Sequence, residues 1–161
     1  MNYCYKCGSK LETRALKNEG NIPYCPTCKD FVFPIFSTAC SMIVLNKNKD
    51  KILLIQQYGR KDNILVAGYV NKGENIENTV IREIKEETNL NVIDLHFNHS
   101  SYFEPSQTLM VNFVAVVDSE NYQLNEEVDQ ATWYDYHDAI NQIKSPSLAK
   151  DFLQHYLDNI K

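Results

Sequence analysis

The fold depends most on the loop and helix of residues 68–90, which read GYVNKGENIENTVIREIKEETNL. Within this stretch Ile76, Val80 and Ile84 recur at four-residue spacing, with charged residues between them. This period is that of one apolar face on an α-helix. The sequence therefore predicts an amphipathic helix between positions 76 and 90, and Asn75 is a suitable residue to cap its N-terminus.

Three glutamates on this helix are candidates for metal binding. Glu83, Glu86 and Glu87 stand at i, i+3 and i+4, so their side chains leave the same face of the helix. Like charges at these spacings repel each other, and Arg82 and Lys85 are expected to point partly elsewhere. Mg(II) or Mn(II) would relieve the repulsion, because both ions prefer carboxylate and water oxygens. For a Glu-x-x-Glu-Glu motif alone, however, an ordinary solvated acidic face would be the favoured interpretation.

The loop before the helix favours the metal site over the acidic face. Gly68 and Gly73, with Glu74 after the second, allow unusual backbone angles and the close approach of a phosphate or a metal. The stretch resembles the Nudix signature: Gly, five residues, Glu, seven residues, then Arg-Glu-apolar-x-Glu-Glu-x-Gly-apolar. Asn89 stands where the signature has its last Gly. This position follows a helix and is expected to have a positive φ, which asparagine tolerates.

The resemblance to the Nudix family implies a fold, a reaction and a site. The fold would be α+β, an α/β/α sandwich with a mixed sheet. The reaction would be attack of water on the pyrophosphate of a nucleoside diphosphate linked to another moiety. Glu83, Glu86 and Glu87 would be the Mg(II) or Mn(II) ligands, and Arg82 and Glu74 would orient or support them. One of these glutamates, or one outside the helix, would be the general base.

The rest of the chain supports a mixed architecture. Short strands are predicted from apolar runs at 40–45, 52–55, 64–70, 109–117 and 131–136. Two helices are expected to close the chain, the second of them after Ser145-Pro146-Ser147. Since strands and helices are interleaved, the main domain is expected to be α/β or α+β, with mixed strand pairing favoured over an all-parallel sheet.

Four of the five cysteines form two Cys-x-x-Cys pairs. Cys4 and Cys7 are separated by 17 residues from Cys25 and Cys28, a spacing that brings four thiolates to one tetrahedral Zn(II). Disulfides are disfavoured by the cytoplasmic location expected below, and redox chemistry would need only one pair. Four cysteine ligands leave no open coordination position, so this zinc would be structural. We expect a zinc ribbon over residues 1–34 and a Nudix hydrolase domain over 35–161.

A Cys4 ribbon directly before a Nudix domain resembles the NADH pyrophosphatase subfamily, whose members also remove NAD caps from RNA. The resemblance does not include the large N-terminal domain of the longer members. Ala67-Gly68-Tyr69-Val70 is similar to the subfamily's Ala-Gly-Phe-Val, in which the aromatic residue stacks on the nicotinamide or the base. Tyr69 is therefore implied as a substrate-binding residue.

The segment that is diagnostic of the subfamily, Ser-Gln-Pro-Trp-Pro-Phe-Pro, is altered in this chain. It reads SSYFEPS over residues 100–106, with Phe103 at the tryptophan position. Leu109-Met110 and Phe113 resemble the Leu-Met and Phe that follow the segment, so that Phe103 and Met110 are implied in substrate binding. A dinucleotide such as NADH or NAD is the favoured substrate, and the alteration leaves ADP-ribose, other dinucleotides and nucleotide sugars open as alternatives.

Two segments near the C-terminus extend the resemblance. Glu127-Val128 and Ala131-x-Trp133-Tyr134 are similar to the subfamily's Glu-Ile and Ala-x-Trp-Phe, which implies Glu127 as a further metal ligand or general base. Ser147-Leu148-Ala149 is similar to Ser-Ile-Ala, a backbone element that lies near the ligand across the dimer. Ala149 is therefore implied in substrate binding, and a homodimer is expected.

Charge and hydropathy limit the other function classes. The formal net charge of −5 disfavours a broad electrostatic contact with nucleic acid, although a capped RNA end is compatible with it. No apolar stretch approaches the roughly 18 residues of a membrane span, and the first residues lack the apolar core of a signal peptide. A cytoplasmic enzyme with a small nucleotide substrate is the expectation.

Two non-catalytic alternatives stay open at this point. The first is a module that senses a nucleotide without hydrolysing it, but a sensor does not need the complete set of glutamates. The second is a nucleic-acid-binding ribbon. Its positive charge would come from Lys6, Lys10, Arg14, Lys17 and Lys29. Nearby acidic residues dilute this charge, which argues against the second alternative.

Overall fold

The computed structural model describes residues 2–160 of the chain. The chain divides between Phe36 and Ser37 into two units, each with buried residues of its own. Within the described residues, none of the helices combines the length and the apolar character that crossing a membrane requires.

The first unit is a three-stranded antiparallel sheet in the order β1-β2-β3. Its strands are β1 (Glu12–Leu16), β2 (Gly20–Cys25) and β3 (Asp30–Phe31). The buried apolar cluster of this unit consists of Cys4, Cys25 and Val32, with Leu11 packed against it. Because two of the three buried members are cysteines, apolar packing is a small source of stability for this unit.

The second unit is built on a six-stranded sheet. Its strands are β4 (Ser37–Leu45), β5 (Lys51–Gln57), β6 (Val66–Tyr69), β7 (Val92–Phe103), β8 (Thr108–Val117) and β9 (Val128–Asp135). The order is β7-β8-β4-β5-β9, and β6 pairs with β4. Strands β4 and β8 are parallel and the other pairs are antiparallel, so the sheet is mixed.

Helices cover both faces of this sheet. They are α1 (Ile76–Thr88), α2 (Tyr136–Gln142) and α3 (Leu148–Asn159), and a short 3-10 helix spans Glu104–Ser106. Side chains alternate along the central strands: Met42 and Val44 pack in the same cluster as Val80 and Ile84 of α1. Ile43 and Leu45 of the same strand pack with α2 and α3. The expected α+β fold, an α/β/α sandwich with a mixed sheet, is confirmed.

The sequence pattern located most elements of this unit, with two exceptions. Strands β4, β5, β8 and β9 contain or overlap the predicted runs, whereas the run at 64–70 becomes a strand only over Val66–Tyr69. Strand β7 was not predicted. It lies at a sheet edge and carries polar side chains such as His96, Asn98 and Ser100, so it lacks the apolar pattern of a central strand.

The ends of α1 match the expectation for Asn75 and Asn89. Asn75 is the N-cap, with extended backbone angles, and its carbonyl accepts a hydrogen bond from the Thr79 amide at 3.1 Å. Asn89 is the C-cap, with φ 57° and ψ 15°, and its amide donates to the Lys85 carbonyl at 2.9 Å. The helix ends at this left-handed residue, which is why an asparagine serves where the family signature has glycine.

Substitutions at Asn89 test this explanation. Asn89→Gly should leave the free energy of unfolding near that of the wild type, whereas Asn89→Ala should lower it by about 1 kcal/mol, since a Cβ without a polar partner disfavours the left-handed region. Asn78→Ala, the same change in the first turn of α1, should not destabilise. Urea unfolding followed by fluorescence of the single tryptophan, Trp133, measures all three. Equal stability of the Gly and Ala variants at Asn89 would contradict the explanation.

Candidate metal centre and substrate cavity

A cavity of about 880 Å³ in the second unit collects most of the predicted site residues. Its walls come from β6, α1, the end of β5, β8 and the loop between α2 and α3. Four carboxylates line it, from Glu83, Glu86, Glu87 and Glu127. A cavity of this size accommodates a ligand much larger than a single phosphate group.

Gly68 lets the Glu83 side chain approach the backbone of β6. A Cβ atom added at Gly68 would lie 2.0 Å from both Cδ and Oε1 of Glu83, which is too short for a contact between non-bonded atoms. The φ of Gly68 is not in the left-handed region, so this glycine is needed for space and not for its backbone angles. Gly73, in contrast, has φ 85°, where glycine is favoured for its conformation.

Arg82 and Glu74 join the loop to the helix. Arg82 donates from Nε to Glu74 Oε1 at 2.9 Å and from Nη2 to Oε2 at 3.0 Å, a bidentate pair. The Asn71 amide donates to the same Oε2 at 3.1 Å. Hydrogen bonding to Arg82 is the largest reason why the pKa of Glu74 falls to about 2. Glu74 is therefore ionised at neutral pH and holds the guanidinium against α1.

The expectation that Arg82 points partly away from the glutamates is wrong. Its Nη1 donates to Glu83 Oε1 at 2.7 Å and to Glu86 Oε2 at 3.1 Å. The ion pair with Glu74 explains this direction, because it holds the Arg82 guanidinium beside the glutamates of α1. Lys85 does point away, and its Nζ donates to the Asn89 carbonyl and the Asn91 side chain. One cation thus offsets part of the repulsion among the carboxylates.

Glu87 is the most buried carboxylate of the set, with 2% of its surface exposed. Its Oε1 accepts a hydrogen bond from Gln57 Nε2 at 2.8 Å, whereas Oε2 has no hydrogen-bond partner within residues 2–160. Burial, more than any neighbouring charge, raises the pKa of Glu87 to about 7. A buried carboxylate oxygen without a partner is costly, and a divalent cation bound beside it would remove that cost. The donor set therefore fits Mg(II) or Mn(II).

Glu127 joins the α1 glutamates from another part of the chain. It lies in the loop before β9, where its amide donates to Asn125 Oδ1 at 3.0 Å. Burial raises the pKa of Glu83, and the charges of Glu86 and Glu127 add to that increase. Glu127 therefore lines the same cavity as the α1 carboxylates, and its charge acts on Glu83.

Aromatic side chains form the other lining of the cavity. Tyr58, Tyr69 and Phe103 line it with 68%, 58% and 41% of their surface exposed, and Met110 lies in the same wall. Exposed apolar surface that lines a cavity with polar groups around it commonly marks a ligand-binding site. The aromatic side chains offer flat apolar surfaces on which a base or a nicotinamide ring can stack.

The structure does not bring Ala149 into this lining. Ala149 lies in the first turn of α3 and packs against the apolar cluster on that side of the sheet. Its neighbours Ser147 and Leu148 line the cavity instead. Ser147 is the N-cap of α3, where its Oγ accepts from the Lys150 amide at 3.1 Å, and this cap fixes which residues face the cavity.

Gln57 and Lys144 line the cavity and were not identified from the sequence. Gln57 donates a hydrogen bond to Glu87. The sequence feature that could have identified Gln57 is a polar residue at the position that continues the two-residue spacing of the apolar Leu53 and Ile55 in β5. Lys144 lines the cavity from the α2–α3 loop, where its Nζ pairs with Asp62 at 2.7 Å. No feature of the sequence distinguishes Lys144 from the other lysines.

The four cysteines of the first unit form a separate cluster whose ligand atoms lie within 4.8 Å of one another. The sulfur atoms of Cys4 and Cys28 are 3.9 Å apart, and those of Cys7 and Cys25 are 3.5 Å apart. A tetrahedral zinc site with Zn–S bonds of about 2.3 Å has sulfur–sulfur distances of about 3.8 Å. The thiols are free, and these distances are far longer than a disulfide bond of about 2.0 Å. The cluster therefore fits Zn(II).

Comparisons with known proteins agree with this geometry. The family model of the NUDIX domain matches residues 36–156. The NAD-capped RNA hydrolase NudC of Pseudomonas aeruginosa (strain LESB58) is 28% identical over 159 residues, which make up 96% of this chain and 55% of that protein. The protein of the same name from Escherichia coli O9:H4 (strain HS) is 32% identical over 139 residues, or 84% of this chain and 52% of that protein. The chain spans about half the length of these curated relatives.

The fold also matches that of a solved structure. The crystal structure of a NUDIX hydrolase from Nitrosomonas europaea superposes with a TM-score of 0.68 at 19% sequence identity, and the match covers 98% of this chain and 91% of that one. At this identity the likeness concerns the fold, which is the α/β/α sandwich described above.

The space at Gly68 is a testable requirement of the site. Gly68→Ala should weaken Mn(II) binding by more than about tenfold, because the new Cβ displaces the Glu83 carboxylate. Stability should change little, since the displaced atoms are the end of a flexible side chain. Isothermal titration calorimetry with Mn(II) and thermal unfolding measure the two quantities. Wild-type affinity in the variant would show that the position of Glu83 is unimportant.

Proposed function

This chain belongs to the NUDIX domain family, and on that premise we propose that it is a metal-dependent pyrophosphohydrolase whose substrate is a dinucleotide, NADH or NAD. Water attacks one phosphorus of the substrate's diphosphate, the bond from that phosphorus to the bridging oxygen breaks, and two nucleoside monophosphates are released. The observation that carries the proposal is the group of four carboxylates around one cavity, with the buried Oε2 of Glu87 unpartnered within residues 2–160.

The metal ligands in this proposal are Glu83, Glu86, Glu87 and Glu127. When bound, Mg(II) or Mn(II) supplies the positive charge that polarises phosphoryl oxygens and lowers the pKa of the attacking water. Arg82 supports the ligands, because it holds two of the glutamates and is itself held by Glu74. One of the cavity carboxylates accepts the proton of the water as general base.

Two observations support a dinucleotide over a smaller nucleotide. A dinucleotide carries an aromatic ring at each end, and Tyr69 and Phe103 offer two exposed aromatic surfaces in the cavity. The curated relatives are named as hydrolases of NAD-capped RNA, whose cap is itself a dinucleotide. Phe103 takes part although the segment around it differs from the subfamily motif, since it lies in the cavity wall.

The name of the relatives favours a second candidate, the NAD-capped 5′ end of an RNA. The scissile diphosphate and both rings are the same as in NAD, so the same carboxylates and aromatic residues would serve. The two candidates differ only beyond the adenosine ribose, where the RNA chain continues.

A turnover screen tests the proposal. The purified protein with Mg(II) or Mn(II) should release nucleoside monophosphate from NADH or NAD faster than from ADP-ribose, diadenosine polyphosphates or nucleotide sugars. Glu86→Gln should lower kcat by a factor of at least about 100, because a metal ligand loses its charge. Glu77→Gln makes the same change in the exposed first turn of α1, outside the cavity, and should leave kcat unchanged.

The possible outcomes test the substrate, the metal ligands and the catalytic activity separately. Preference for another compound with a diphosphate would replace the substrate but keep the site. Equal loss of activity in the Glu86 and Glu77 variants would contradict the assignment of the metal ligands. Activity on NAD-capped RNA well above that on NADH would favour the second candidate. No turnover of any compound would favour the nucleotide-sensing alternative.

The cysteine cluster has a structural part in the same proposal. Zn(II) held by Cys4, Cys7, Cys25 and Cys28 would stabilise the first unit, whose buried apolar cluster is small. The Cys28 amide donates to Cys25 Sγ at 3.3 Å, and such contacts stabilise a thiolate in its ligand position. Residues 1–34 would then be a zinc ribbon and residues 35–161 the catalytic domain.

Removal of one thiolate tests the zinc assignment. The wild type should contain one zinc per chain by elemental analysis, and Cys25→Ser should lose it and become sensitive to proteases within residues 1–36. Cys40→Ala, which removes the buried cysteine of the second unit, should retain the zinc. Full zinc content in the Cys25 variant would show that the ion lies elsewhere.

A further inference from the structure

Strand β5 and helix α1 contribute side chains to the same apolar core. Leu53 and Ile55 of β5 belong to the same buried cluster as Val80 and Ile84 of α1. Gln57 lies two residues after Ile55 on the strand, and Glu87 lies three residues after Ile84 on the helix, so both are on the faces that enter this cluster. A polar pair therefore continues the apolar packing.

The polar pair is joined by one hydrogen bond in a buried environment. Gln57 Nε2 donates to Glu87 Oε1 at 2.8 Å, and Gln57 is itself partly buried. A carboxylate has two oxygens of equal basicity, and either could serve as a metal ligand if the group rotated. The bond to Gln57 makes the two oxygens unequal, because it occupies Oε1 and leaves Oε2 without a partner in the described chain.

The backbone around Gln57 is fixed by the loop that follows it. Gln56 pairs with Gln130 and Gln57 pairs with Val128, so Asp129 of β9 is the extra residue of a bulge opposite this point. The Arg60 amide donates to the Gln57 carbonyl at 3.1 Å. The Gly59 amide donates to Asp129 Oδ2 at 2.6 Å, so the loop is attached to β9 on its other side. The amide of the Gln57 side chain is thus presented from an anchored position.

We propose that Gln57 is a positioning residue, which holds Oε1 of Glu87 so that Oε2 is kept available as the ligand atom for the catalytic cation. The inference rests on the proposed function, since it assumes that Glu87 binds a metal. A partner that orients a metal ligand in this way commonly changes metal affinity by about 10- to 100-fold when it is removed.

A purely structural role for the pair leads to a different expectation. If Gln57 only filled space beside α1, methionine would replace it well, because the two side chains have similar length and volume. Metal affinity would then be unchanged. Gln57→Met therefore separates positioning from packing. Gln56→Met is a matched control, since the Gln56 amide donates to Asn63 Oδ1 at 2.9 Å and not to a carboxylate of the site.

The experiment is a titration of the full chain with Mn(II), in which electron paramagnetic resonance measures the free ion. Four proteins are compared: the wild type, Gln57→Met, Gln56→Met and Glu87→Gln. We expect Gln57→Met to raise the Kd for Mn(II) by about tenfold or more and Gln56→Met to change it less than about twofold. Glu87→Gln should raise it at least as much as Gln57→Met. Far-UV circular dichroism checks the folding of each variant, and Gln57→Leu replaces the methionine variant if that protein does not fold.

The outcomes distinguish this inference from the proposed function. Equal Kd values for the wild type and Gln57→Met, with a higher value for Glu87→Gln, would overturn the positioning role but keep Glu87 as a ligand. Equal loss in the Gln56 and Gln57 variants would also overturn it. A wild type that binds no Mn(II) would overturn the proposed metal centre, and the inference with it.

Discussion

Arg82 is the residue on which the geometry of the site depends, because it is the cation around which the carboxylates of one wall are arranged. Its guanidinium contacts Glu74, Glu83, Glu86 and the Tyr69 carbonyl, so it joins the loop, the strand end and the helix. Without a positive charge at this point, the repulsion among the carboxylates on one helical face would be uncompensated within the protein. The bidentate pair with Glu74 positions the Arg82 guanidinium. Glu74 therefore belongs to the site, although it lies in the loop and does not line the cavity.

The sheet supplies the rigid support for this arrangement. Strand β4 is buried along most of its length and pairs with β5, β6 and β8, so the ends of several strands are fixed against one another. Gly68 on β6 leaves room for the Glu83 side chain, and Gln57 at the end of β5 donates a hydrogen bond to Glu87. The core that packs Val80 and Ile84 therefore also sets the positions of Glu83 and Glu87, which follow them by three residues on the helix.

The parts of the site that sequence could predict are those that are local in the chain. The spacing of Glu83, Glu86 and Glu87 defines a helical face by itself, and positive φ at Asn89 follows from its place after the helix. The direction of Arg82 could not be predicted, since it depends on a loop residue eight positions away. The bond between Gln57 and Glu87 joins residues 30 positions apart, and pairing at that separation leaves no periodic signal in one sequence. Strand β7 was missed because an edge strand can be polar on both faces.

The two proposed metal sites differ in ligand chemistry, and each set of ligands favours a different class of cation. Thiolates are soft ligands that favour zinc, whereas carboxylates, waters and phosphate oxygens are hard ligands that favour Mg(II) and Mn(II). The ribbon cluster contains four sulfur atoms and the cavity contains only carboxylates among its charged metal ligands in the described residues. Four thiolates complete a tetrahedron and exclude substrate, whereas four carboxylates lining an open cavity leave coordination positions for water and phosphate. The two ligand sets thus favour different classes of ion, so the proposed structural and catalytic metals differ in their ligand preference as well as in their place in the chain.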